Sequence, residues 1–132
     1  MSKEAPPTVI LLLEPEILVR MVVAQYLREC GYTVIEGVSA ADFGTLMESG
    51  RELHIVMTDV TLADGASGFE LAQSVRQTHP NIDVILTYGV SGTADRAHEL
   101  CGEGPIRKPY HPRDVEDRIR SLLERRRKSD RN

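Results

Sequence analysis

The chain has 132 residues, 41% of them hydrophobic and 27% charged, a balance that suits one globular domain and excludes disordered or fibrous classes. A formal net charge of −4 argues against nucleic acid as the main partner, and the longest apolar run, residues 9–13, is far too short to cross a membrane. Cys30 and Cys101 lie far apart without CxxC spacing, which points to neither a zinc site nor a disulfide framework and suits a reduced, cytoplasmic setting.

Residues 1–8 contain Pro6 and Pro7 but no signal-peptide pattern, and read as a flexible leader. From there, apolar runs of strand length alternate with segments of helical period, five pairs in all. The first strand is predicted at 9–13. Val19, Val22, Val23, Tyr26, Leu27 and Cys30 then recur at helical spacing, and Gly31 stands where a helix ends. After a strand at 33–36, Ser39-Ala-Ala-Asp42 opens a helix over 40–48 with a capping-box pattern. A strand at 54–58 leads to Ser67-Gly-Phe-Glu70, the same pattern, and a helix that turns Leu71, Val75 and Phe69 inward and stops before Pro80.

A strand at 83–87 follows. The segment 91–101 offers only Ala94, Ala97 and Leu100 as a stripe and contains Gly92, which predicts a weak fourth helix. After a short strand at 105–107, Pro112 opens a last helix that buries Val115, Ile119, Leu122 and Leu123. Its end, Arg125-Arg126-Arg127-Lys128, complements the helix dipole and reads as solvated. The domain then spans 9–126, with 127–132 as a basic and polar tail. The first, third and fourth strands are nearly continuous apolar runs, which predicts the centre of a doubly wound parallel sheet covered on both faces.

In such a sheet ligands bind beyond the carboxyl ends of the strands. Those positions hold Glu14-Pro15-Glu16, Asp59, Thr87-Tyr88-Gly89 and Lys108-Pro109. Carboxylates at two central strand ends repel each other unless a divalent cation lies between them, and oxygen ligands of this kind suit magnesium. Asp59 beside such a cation is a nucleophile for a phosphoryl donor, and a lysine and a threonine nearby would neutralise and hydrogen-bond the product. Taken singly, Asp59 would serve as a loop cap and Lys108 as a surface residue. The set at four strand ends favours a site.

These residues also carry a resemblance. The stretch Val9-Ile-Leu-Leu-Leu-Glu-Pro-Glu-Ile-Leu-Val-Arg20, the segment Ile55-Val-Met-Thr-Asp-Val60 leading to Ser67-Gly-Phe-Glu-Leu71, and Ile106-Arg-Lys-Pro-Tyr110 resemble response-regulator receiver domains over residues 8–125. The resemblance implies a flavodoxin-like (βα)5 α/β fold with strand order 2-1-3-4-5. It matches Asp59 to the phosphoacceptor, which would carry 4-aspartylphosphate, and Lys108 to the lysine that contacts the phosphoryl group. Glu14 matches the first member of the acidic pair that holds Mg2+ together with Asp59, and Pro109 the proline that follows a cis peptide bond. The family's switch hydroxyl falls at Thr87, which has the right chemistry, or at Tyr88, which directly precedes Gly89. Two departures stand out. The second acid is replaced by Pro15, with Glu16 the candidate ligand one place on, and the aromatic residue that reorients on activation is replaced by Pro105.

The function implied is two-component phosphorelay signalling by a stand-alone receiver, phosphorylated by a histidine kinase or histidine phosphotransfer protein and acting on a downstream protein by contact, with a homodimer among the expected assemblies. No enzyme activity is expected beyond self-phosphorylation from small phosphodonors and autodephosphorylation. Ile17, Leu18 and Met21 add apolar surface where the family's donor docks, or pack on local loops. The rival is a pseudo-receiver, an interaction module that works without phosphorylation; Pro15 and Pro105 favour it, and Asp59 and Lys108 oppose it. A phosphatase of the haloacid-dehalogenase type would need an acid where Thr61 stands, and a flavin or nucleotide binder would want a small-residue loop where Glu14-Pro15-Glu16 stands.

Overall fold

A computed structural model describes residues 7–88, 106–108 and 110–131. The elements are β1 (Val9–Leu13), α1 (Ile17–Glu29), β2 (Thr33–Gly37), α2 (Ala40–Glu48), β3 (Ile55–Asp59), α3 (Gly68–Thr78), β4 (Asp83–Tyr88), β5 (Ile106–Arg107) and α4 (Pro112–Arg131). The weak helix expected over 91–101, and the prolines at 105 and 109, lie outside the described residues. The five strands form one parallel sheet in the order β2-β1-β3-β4-β5, the doubly wound order expected, with the three most apolar strands at its centre.

The two faces of the sheet follow from the two-residue period of the strands. Ile10, Leu12, Ile55, Met57, Ile85 and Ile106 point to one side, where Val23, Ala24 and Leu27 of α1 and Val115 and Ile119 of α4 cover them. Leu11, Leu13 and Val56 point to the other, under Phe43 of α2 and Val75 of α3, with Phe69 and Ala72 packing on Val60 and Leu86 beside them. Each of the fully buried aliphatic side chains contributes roughly 1.5–3 kcal/mol.

In α1 the buried stripe differs from the expected one. Val22 and Cys30 are exposed, and Ala24 lies in the core instead. A small side chain lets the helix approach the sheet closely, so the contact line runs through Val23, Ala24 and Leu27 and leaves Val22 beside Leu18 on the outer face. Gly31 ends the helix at φ 101°, a left-handed value that glycine adopts without strain. The basic end of α4 is not wholly solvated: Arg126 donates through Nε and Nη2 to both carboxylate oxygens of Asp83 at 2.7 and 3.1 Å, and through Nη2 to the Pro80 carbonyl, latching α4 to the start of β4.

Helix α2 carries the reciprocal cap that its sequence pattern predicts. The Asp42 N–H donates to Ser39 Oγ, and Asp42 Oδ2 accepts from the N–H groups of Val38 and Ser39 at 2.8 and 3.1 Å. These bonds, the one from Val38 first, hold the Asp42 carboxyl below its ordinary value of 3.8. A lowered carboxyl pKa stabilises the fold above that ordinary value, and the stability is lost as the pH falls through the folded value. Asp42→Ala should therefore lose about 1 kcal/mol at neutral pH, and urea midpoints of mutant and parent should converge in acid.

Candidate functional site

The same two-residue period that builds the core builds the site. On the α1/α4 side of the sheet, Ile10 and Leu12 are followed by Glu14, Ile55 and Met57 by Asp59, Ile85 by Thr87, and Ile106 by Lys108. Four apolar rows thus end in two carboxylates, a hydroxyl and an ammonium at one edge of the sheet. Tyr88, one residue past Thr87, faces the opposite side and packs with the cluster of Val60, Phe69, Ala72 and Leu86. Thr87 is the register partner of Asp59 and is buried.

Lys108 joins the group. Its Nζ lies 2.6 Å from Glu14 Oε1 and 2.6 Å from Asp59 Oδ2, and 3.6 Å from Glu16 Oε2 at the rim. Glu14 is 2% exposed and Asp59 7%. Each carboxylate has a second anchor: Glu14 Oε2 accepts from the Glu16 N–H at 2.9 Å, at the start of α1, and Asp59 Oδ1 accepts from the Thr61 N–H at 2.8 Å. Burial pushes the Glu14 carboxyl above its ordinary value, against the opposing pull of Lys108 and the Glu16 N–H. Burial also opposes the charge on Lys108, but its hydrogen bonds to Asp59 and Glu14 outweigh that effect and its pKa is raised. Two carboxyl groups thus face one ammonium in the buried part of the pocket.

The donor set suits a magnesium ion. Glu14 and Asp59 are hard oxygen donors converging from neighbouring strands, and Mg2+ characteristically takes one or two protein carboxylates and completes its shell with water. Glu16 reaches the rim, 3.6 Å from Lys108, but among the described residues no three Asp, Glu, His or Cys side chains form a metal cluster.

The sequence reading did not single out two neighbours of this pocket. Gly68 opens α3 and donates its N–H to the Val60 carbonyl at 2.9 Å; a Cβ here would lie 2.9 Å from Val60 Cα and collide with the Asp59 carbonyl. The backbone that carries Asp59 is thus pressed against the start of α3, and only glycine permits the approach. A glycine next to a capping serine was the available signal. Tyr110, two residues past Lys108, packs on the α1/α4 core with its hydroxyl buried and without a hydrogen-bond partner among the described residues. Burial raises its pKa, with the negative charge of Glu14 adding to the effect.

This arrangement belongs to a known class: the chain is a member of the response regulator receiver domain family, whose model matches residues 10–120. Receiver domains are signalling modules of two-component systems. Among curated proteins, the chain is 32% identical over 120 residues to the sensor kinase CckA of Brucella abortus, covering 88% of this chain and 12% of that protein. It is 28% identical over 118 residues to the aerobic respiration control protein ArcA of Escherichia coli, covering 88% of this chain and 48% of that one. The chain spans about half or less of the length of these relatives. Among solved structures, a CheY-like receiver domain protein from Methanospirillum hungatei superposes with a TM-score of 0.81 at 21% identity, covering 94% of this chain and 99% of that one. The receiver domain of the TMAO respiratory response regulator TorR superposes at 0.79 with 25% identity, covering 90% and 98%.

The glycine contact yields a paired prediction. Gly68→Ala should cost about 2 kcal/mol through overpacking against the Asp59 backbone. Gly44→Ala, inside α2 where a Cβ meets nothing within 4 Å, should instead stabilise by roughly 0.5–1 kcal/mol. Urea unfolding of the two variants beside the parent reads both signs.

Proposed function

We propose that this receiver takes a phosphoryl group on Asp59 from a histidine-bearing donor, a histidine kinase or a histidine phosphotransfer protein, and passes the signal on by protein contact in the cytoplasm. The observation that carries this reading is the Lys108 ammonium, 2.6 Å from both Asp59 and Glu14. A cation held against the nucleophile is placed to meet the charge of an incoming phosphoryl group. In the reaction an Asp59 oxygen attacks phosphorus, the P–N bond to the donor imidazole breaks, and the released nitrogen keeps the electron pair and takes a proton. The product is an acyl phosphate whose oxygens face Lys108 and, on the same side of the sheet, the Thr87 hydroxyl.

Mg2+ would be held by Glu14 and Asp59, with Glu16 at the rim a weak substitute for the acid absent at Pro15, and when bound would neutralise charge on the transferring group. Docking of the donor is supported by an apolar patch on α1 beside the pocket: Ile17, Leu18, Met21 and Val22 are all more than half exposed. Like other receivers, the chain acts as a signalling module, with chemistry of its own limited to self-phosphorylation from small donors and autodephosphorylation.

Pro15 favours a second reading, a pseudo-receiver that binds partners without being phosphorylated, because it removes a metal ligand. Intact mass after incubation with acetyl phosphate separates the two. The first reading predicts an adduct that requires magnesium and is lost in Asp59→Ala; absence of any adduct under saturating magnesium would favour the second. Pro15→Asp should tighten Mg2+ binding by about tenfold, or about 1.4 kcal/mol; unchanged affinity would mean that Glu16 already fills that place.

A further inference from the structure

Every polar atom of Glu14 is held, and one of the holders is a side chain from outside the pocket. The backbone N–H donates to the Gly37 carbonyl at 3.1 Å, the carboxylate meets Lys108 and the Glu16 N–H, and the carbonyl accepts from Arg20 Nη1 at 2.8 Å. The Arg20 side chain is 17% exposed, and its Nε is engaged with Glu36 Oε1 at 3.2 Å. Glu36 is held in turn by Arg28 Nη1 at 3.1 Å, and Arg28 Nη2 donates to the Val34 carbonyl at 2.8 Å. The planar guanidinium of Arg20 therefore spans two fixed acceptors, a carbonyl at the end of β1 and a carboxylate at the end of β2. Lysine, a point charge on a flexible stem, cannot make that fork. The next residue, Pro15, contributes no N–H to the turn, so a hold from a side chain matters more here than in a turn with its own donors.

We propose that Arg20 is a positioning residue for the pocket: it clamps the Glu14-Pro15-Glu16 turn so that the Glu14 carboxylate stays aimed at Asp59 and Lys108. The inference deepens the phosphoacceptor reading and rests on it for its consequences, while its geometric content can be tested without phosphorylation.

The test uses the full chain as parent, Arg20→Lys and Arg20→Met, with Arg20→Lys securing a folded comparison. The first readout is hydrogen exchange of the Glu16 amide, whose N–H is bonded to Glu14 Oε2. It should speed up by about tenfold in both variants, while the amides of β3 are unchanged and the urea midpoint of Arg20→Lys stays close to that of the parent. The second is Mg2+ affinity by calorimetry, which should fall by about tenfold, as expected for loss of a group that orients a ligand. The rate of adduct formation from acetyl phosphate should fall at low magnesium and recover at saturating magnesium. Parental Glu16 exchange and parental Mg2+ affinity in both variants would overturn the proposal. If the parent forms no adduct, the phosphoacceptor reading fails, and Glu16 exchange still decides the role of Arg20.

Discussion

The candidate site depends on one ammonium group shared between two carboxylates. Glu14 and Asp59 end adjacent strands and are nearly buried, so without a cation their ionised forms would repel at close range in a medium that screens poorly. Lys108, arriving from the edge strand β5, makes their coexistence tolerable. Removing one partner from such a cluster leaves buried charge uncompensated, which is far more costly than losing a surface ion pair. The surrounding structure serves this contact. The start of α1 gives Glu14 a backbone donor, the Thr61 N–H fixes Asp59, and Gly68 lets α3 close on the strand end.

The sheet was legible because its physics is local and periodic. Runs such as Val9–Leu13 and residues 84–86 are apolar at consecutive positions, as suits strands covered on both faces, and the caps at Ser39 and Gly31 stand where the chain turns. What could not be read was the choice among apolar faces of one helix. In α1, apolar residues occupy nearly the whole circumference, so periodicity alone admitted Val22 to the core, while the closeness allowed by Ala24 put it outside. The latch from Arg126 to Asp83 was hidden for a different reason: it joins residues 43 positions apart, and a run of basic residues looks alike whichever of them is held.

Much of the site was legible too. Asp59, Lys108 and Glu14 were marked by standing just past apolar runs, and the geometry brings them together within hydrogen-bond reach. The ambiguity between Thr87 and Tyr88 came from aligning short motifs by neighbours; counting by twos from Ile85 puts Thr87 on the pocket side and Tyr88 on the α3 side. The role of Arg20 was hidden because the partner that ties it to the pocket is a backbone carbonyl, which no residue type announces. Gly68 escaped notice because a close approach of two backbones is invisible until both are placed.

If the Lys108 contact organises the pocket, it must exist in solution, and the lysine ammonium can be observed directly. Nitrogen-15 NMR of the side-chain ammonium groups, compared with exposed Lys128, tests this. The account predicts that Lys108 gives a slowly exchanging signal, distinct from that of Lys128, which shifts in both Glu14→Gln and Asp59→Asn and again on addition of magnesium with acetyl phosphate. A Lys108 signal that exchanges as fast as that of Lys128 and ignores both substitutions would contradict it.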